Sequence, residues 1–125
     1  MTFADIEARV VAHLTAALEV PVSVELQSGF DQRLPVVQVQ ALPGSFRDRP
    51  FNGGPVTAEI DVDVDVYAAD MEQVYDVGQQ VMSVLEGWRD HDLSVQAKSL
   101  FAKRPDFNPS IRRRGAVFTA LLRRT

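Results

Sequence analysis

The chain has 125 residues, 46% of them apolar and 24% charged, with a formal net charge of −4. That size and composition suit one globular domain burying about two-thirds of its unfolded surface, not a disordered segment. The absence of cysteine excludes a disulfide scaffold, thiol catalysis and Cys-ligated zinc, and it suits a protein made in the cytosol.

Residues 3–18 read as an amphipathic helix, with Phe3, Ile6, Val10, Leu14, Ala17 and Leu18 along one side. Thr2 and Asp5 have capping-box spacing, and Pro21 ends the segment. No basic, hydrophobic signal pattern is expected here, and no apolar run approaches the ~20 residues that cross a bilayer. Val22, Val24 and Leu26 then alternate with polar residues as a short half-buried strand. A turn over Ser28–Leu34 closes at Pro35, and a second strand follows at Val36–Ala41. The segment Pro43–Pro55 holds three prolines and three glycines, which predicts a flexible loop. Phe46, Arg47, Arg49 and Phe51 are its residues available for contact.

Val56–Tyr67 (VTAEIDVDVDVY) alternates strictly, with Val56, Ala58, Ile60, Val62, Val64 and Val66 on one face. Glu59, Asp61, Asp63 and Asp65 fall on the other. Asp disfavours strands and like charges on one face repel, so a compensating partner is required. Asp70 and Gln73 predict a capped helix over about 71–88, buried through Val74, Val77, Val81, Leu85 and Trp88. Leu93–Ala102 reads as a strand and Lys103–Ser110 as a proline-held loop. Ala116–Arg123 is apolar on both faces, hence a central strand. The expected fold is a single α+β domain over 1–125, in the order α-β-β-β-α-β-β. Its sheet is mixed or antiparallel, with two helices packed on it.

Charge is segregated along the chain. Acidic residues gather between Glu59 and Asp76, and six arginines lie between Arg104 and Arg124. Such separation suits surfaces that attract one another when copies assemble. Residues two apart on a strand stand ~6.6 Å apart with parallel side chains, so the acidic row does not converge on a metal ion. It is either a solvated face that guards the strand against aggregation or a face presented to a partner or channel. His13 sits among apolar helix neighbours, and Asp90-His91-Asp92 reads as a turn with capping roles. Gly53-Gly54 lacks the Lys-Ser or Lys-Thr of a phosphate loop and precedes a strand, so no helix N-terminus is there to hold an anion. Arg112, Arg113 and Arg114 have no aromatic interleaving in an acidic domain; carboxylates of the same or a neighbouring subunit are the expected partners. No catalytic residues, metal site or cofactor are expected, and the chain does not read as an enzyme.

The arrangement resembles that of phage tail terminator proteins of long, non-contractile-tailed phages, across nearly the whole chain. The residues carrying the resemblance begin with a helix opening on Asp5-Ile6-Glu7 and ending in a short Val-rich strand. Leu34-Pro35-Val36-Val37-Gln38-Val39, the 43–55 loop and a long strand into Ala68-Ala69-Asp70 follow. Arg104-Pro105-Asp106-Phe107-Asn108-Pro109 precedes the Arg-flanked last strand. The density of the Asp ladder is a departure from the pattern.

The resemblance implies a non-enzymatic virion protein, assembled in the bacterial host cytoplasm. It would form a hexameric ring on the head-proximal end of the tail tube, end tube polymerisation and dock the head. The implied partners are further copies of itself (the isolated protein being monomeric or ringed), the major tail tube protein and a head-completion or connector protein. DNA would pass through without specific binding, and no membrane is involved. Glu59, Asp61, Asp63 and Asp65 would face the ring lumen or pair across a subunit seam with Arg112, Arg114 or Arg123. Phe46, Arg47, Arg49 and Phe51 would grip the tube end or a neighbour. Another head-tail connector or stopper protein is the alternative in the same class; a small cytosolic ligand-binding or regulatory domain is the alternative from another.

Overall fold

Alternation along two twelve-residue strands organises the molecule. The computed structural model describes residues 3–47, 57–106 and 108–124. In chain order the elements are α1 (Ile6–Ala17), β1 (Val22–Ser23), a 3-10 turn at Phe30–Gln32, β2 (Val36–Ala41), β3 (Ser45–Phe46) and β4 (Thr57–Ala68). There follow α2 (Met71–Leu85), β5 (Arg89–Asp90), β6 (Leu93–Ala97), β7 (Ala102–Arg104) and β8 (Arg112–Arg123). β4 and β8 pair antiparallel over their whole length, from Thr57 opposite Arg123 to Ala68 opposite Arg112. β2 and β3 lie along β4, and β6 and β7 lie along β8. β1 and β5 are outermost, and β1–β2 is the parallel pair of an otherwise antiparallel sheet.

Both helices cover one face. Val62, Val64 and Val66 of β4 and Ala116, Phe118, Ala120 and Leu122 of β8 meet Val10 and Leu14 of α1 and Val74, Val81 and Leu85 of α2. Each fully buried Val, Leu or Phe contributes ~1.5–3 kcal/mol relative to exposure, so this face is the main source of stability. The α+β class, the mixed sheet and the two packed helices agree with the sequence.

Several element boundaries differ from expectation. Asp5 is itself the cap of α1, its Oδ1 accepting from the Ala8 N–H at 3.2 Å, so the helix begins at Ile6. Thr2 lies outside the described residues. In the second cap Asp70 Oδ1 accepts from Gln73 N–H at 2.8 Å, while Gln73 Oε1 reaches past the cap to Ala69 N–H at 3.2 Å. α2 stops at Leu85, and Trp88 leaves the helix to stack on His13 with ring centroids 3.9 Å apart. The strand expected over 22–27 is reduced to Val22–Ser23. The strand expected over 93–102 breaks after Ala97, where the Lys98 and Ser99 N–H groups both donate to the Val117 carbonyl. Pairing resumes as β7 inside the expected 103–110 loop, and β8 starts at Arg112, before Ala116. β3 lies within the expected 43–55 loop, of which 48–55 fall outside the described residues, as does Val56.

The flanks of the sheet are finished by helix-end glutamates. Glu7 of α1 accepts the outward Ala41 N–H of β2 at 2.8 Å. Glu86, just past α2, accepts the outward Ala97 N–H of β6. Gly87 and Trp88 complete that flank: Gly87 N–H donates to the Val95 carbonyl at 3.0 Å and Val95 N–H to the Trp88 carbonyl at 2.8 Å. Unpaired strand edges invite pairing with other chains, and carboxylates placed on their N–H groups close them.

Candidate functional site

The face of β4 turned away from the helices carries Glu59, Asp61, Asp63 and Asp65, as the alternation predicts. Antiparallel pairing sets them opposite Leu121, Thr119, Val117 and Gly115 of β8. Each carboxylate has a cation of the same chain. Glu59 lies 3.7 Å from Arg47, and Asp61 2.8 Å from Lys98 Nζ. Asp61 also accepts from the Thr119 hydroxyl at 2.9 Å. Arg104 Nη1 bridges Asp63 at 2.8 Å and Asp65 at 2.9 Å. Its hydrogen bond goes to Asp65, and Asp63 Oδ1 is held by charge without a directed N–H. Arg113 Nη2 completes the set at 2.9 Å from the other oxygen of Asp65, which is only 2% exposed. Four acids face four cations, so the row is charge-balanced.

Arg104 sits on β7, across β8 from its carboxylates, and a glycine lets it reach them. A Cβ added at Gly115 would collide with the Arg104 guanidinium. The absent side chain is therefore the notch through which the guanidinium crosses β8 to β4.

The arginines expected to meet the row of a neighbouring subunit are not its partners within one copy. Arg114 has the parity of the helix-covered face, with its guanidinium 4.3 Å from the Tyr75 ring centroid. Arg112 donates to the Pro109 carbonyl at 3.3 Å. Arg123 is exposed at the far end of β8, opposite Thr57. Phe46 is half exposed, with its ring 6.1 Å from Phe3, and Arg47 pairs with Glu59. Arg49 and Phe51 lie outside the described residues. Sequence reasoning missed Lys98, Arg104, Gly115 and Thr119 as parts of this network. Strand parity was the signal for two of them, since Arg113, Gly115, Val117 and Thr119 form one face of β8.

The Lys98 hydrogen bond holds the Asp61 carboxyl below its ordinary value, against the opposing effect of burial and with help from Thr119. Hydrogen bonding to Arg9 does the same for Asp92. Both folded-state values lie below the unfolded ones, so these groups stabilise the fold above about pH 3.9, the unperturbed Asp value. That contribution is lost as pH falls through the folded values. The unfolding temperature should stay level from pH 7 to 5 and fall below about pH 4, as followed by circular dichroism. Asp61→Asn/Asp92→Asn should show a shallower fall, and an equally steep one would refute these assignments.

Asp90, His91 and Asp92 bring potential metal-ligand atoms within 4.8 Å of one another. Arg9 of α1 already occupies this cluster, with Nη2 2.9 Å from Asp90 and Nη1 2.9 Å from Asp92. It fastens α1 to the β5–β6 turn.

At the Tyr67 end of β4, on the same face as the acidic row, lies a cavity of about 660 Å³. Leu26, Phe30, Tyr67, Pro105 and Ile111 give it apolar walls, and Asp31 and Asp106 also line it. Phe30 meets Tyr67 edge-on at 5.5 Å, and the Tyr67 hydroxyl donates to Gln38 Oε1 at 3.1 Å. Burial, then the nearby Asp65 charge, raises the Tyr67 hydroxyl above its ordinary pKa, so it stays protonated at neutral pH. Arg113 lines the cavity too, but its Nη groups are committed to Asp65 and to the Pro105 carbonyl. A concave apolar wall and a neutral charge ladder are suited to holding and presenting surfaces.

No family profile matches the sequence, and no curated protein matches it. Among solved structures, a chain from the virion of a native gene transfer agent particle superposes with a TM-score of 0.58. The match covers 94% of this chain and 86% of that one at 19% identity, a likeness of fold.

Proposed function

We propose that this chain is a structural, non-enzymatic virion protein of a phage-like particle, and specifically its tail terminator. In this reading it caps the head-proximal end of the tail tube as a hexameric ring, ends polymerisation of the tube protein and offers the surface to which the head-completion protein docks. The observation that supports it is the shared fold, over nearly the whole chain, with a component of a gene transfer agent virion. The order of elements on which the resemblance to tail terminators rests supports the finer role.

Ring closure joins one patch to a different patch on the next copy. Arg112 and Arg123, exposed at opposite ends of β8, are proposed to meet carboxylates of neighbouring copies. The acidic row would then line the lumen or the seam as a charge-matched surface. A basic wall would release counterions and hold DNA, whereas a matched one lets it pass. Electron microscopy of the protein mixed with tail tubes tests the proposal. A ring at one end of each tube, with elongation halted, is expected. Bare tubes that keep growing would refute it, and rings found on head connectors instead would assign the chain to another neck position.

The cavity beside Tyr67 favours a second reading, a small ligand-binding domain, because binding sites are typically concave and apolar with a few polar groups. Tubes left bare in the same experiment would favour it.

A further inference from the structure

We infer that the apolar cavity at the Tyr67 end of β4 receives residues 49–51 of a second copy of this chain, with Phe51 inside it and Arg49 against Asp31 and Asp106. The inference rests on the reading above that the chain assembles with copies of itself.

The cavity has apolar walls and an acidic margin. Among the described residues Asp31 and Asp106 enter no ion pair. The complementary sequence is Arg47-Asp48-Arg49-Pro50-Phe51, an aromatic side chain two residues after a cation. Bound as an extended segment, the conformation Pro50 favours in the residue before it, Arg49 and Phe51 would project to one side ~6.6 Å apart. A groove beside α2, between Tyr75 and Leu100, is also apolar but is lined by Arg114 with no carboxylate to receive Arg49, whereas the arginine of the Tyr67 cavity, Arg113, is already paired with Asp65.

The chain cannot fill its own cavity. Arg47 is tied to the start of β4 by its N–H to the Thr57 carbonyl at 3.1 Å. Four residues of chain carry Phe51 at most ~14 Å from that anchor. Tyr67 lies near the other end of β4, ten residues from Thr57, ~33 Å along the strand. The Arg47 anchor and the acceptor cavity therefore lie at opposite ends of β4. Joined between copies they make the head-to-tail contact that closes rings.

Titration of the ¹⁵N-labelled full chain with a synthetic peptide of residues 45–55 tests this. Saturable amide shifts at Phe30, Tyr67 and Ile111 are expected, with Kd below about 1 mM. Phe51→Ala in the peptide should weaken binding about tenfold or more, and Arg49→Glu should weaken it as well. No saturation by about 2 mM, equal binding of the Phe51→Ala peptide, or shifts confined to the Tyr75–Leu100 groove would overturn the inference and leave the cavity to a small molecule or another protein. The two readings fail separately. Full-length Phe51→Ala that caps tubes as well as the unaltered chain sinks this inference and leaves the terminator role standing. Peptide binding at the cavity by a protein that leaves tubes bare does the reverse.

Discussion

Asp65→Ala should destabilise the domain by ~3 kcal/mol, lowering its unfolding temperature by about 10 °C or more. The residue is 2% exposed and holds two guanidinium groups, Arg104 on one oxygen and Arg113 on the other. Removing it leaves two half-buried cations with Asp63 as the remaining acid in reach of Arg104. The loss falls at the lower end of the range for breaking a buried ion pair, because Arg104 and Arg113 are 26% and 28% exposed and water screens them. Gly115→Ala should act through the same contact. The new methyl displaces the flexible end of Arg104, costing ~1–2 kcal/mol through lost charge-assisted bonding. In an Arg104→Ala background the same substitution should be neutral or stabilising, since alanine suits a strand better than glycine. Denaturant unfolding of the four proteins in that cycle decides the matter. Additive costs would mean that the notch does not serve Arg104.

Phe118→Ala should cost ~3–5 kcal/mol, a large part of the ~5–15 kcal/mol that holds a domain together. Phe118 is fully buried in β8, beneath the helices, with its ring 6.3 Å from Phe101 in an edge-on contact. Phe101 in turn closes over Gly78 of α2, where an added Cβ would meet its ring at 3.5 Å. Truncation at 118 empties the centre of the sheet–helix contact and loosens the segment that connects β6 to β7. Calorimetry should record a fall of about 10 °C or more. A loss below about 1 kcal/mol would show that the neighbouring side chains collapse into the space. Phe46→Ala serves as the contrast, because half of that side chain already faces solvent.

The apolar half of the fold was legible because it rests on periodicity. Val62, Val64 and Val66 announce a strand, and Val74, Val77 and Val81 a helix, whatever lies opposite them. The compensation of the acidic row was less legible because it depends on register. Arg113 shares a face with Asp65 while Arg112 and Arg114 do not, a distinction set by which residue of β8 stands opposite which residue of β4. Arg104 was hidden more deeply. It follows a break in pairing and precedes Pro105, so it reads as loop, and a two-strand reach across Gly115 leaves no local pattern. Strand ends were misjudged where side chains took over from the ladder. Asp5 caps α1 three residues later than the Thr2 spacing suggested, and Ser99 accepts the Val117 N–H where β6 has ended, whereas the Asp70 cap of α2 was legible.

The glutamate-sealed flanks bear on how copies of the protein meet. With Glu7 on Ala41 and Glu86 on Ala97, an incoming strand finds those backbone donors already engaged. Copies can therefore crowd together without templating one another into a growing ribbon. At these two positions a neighbouring molecule would meet side chains instead of free strand donors.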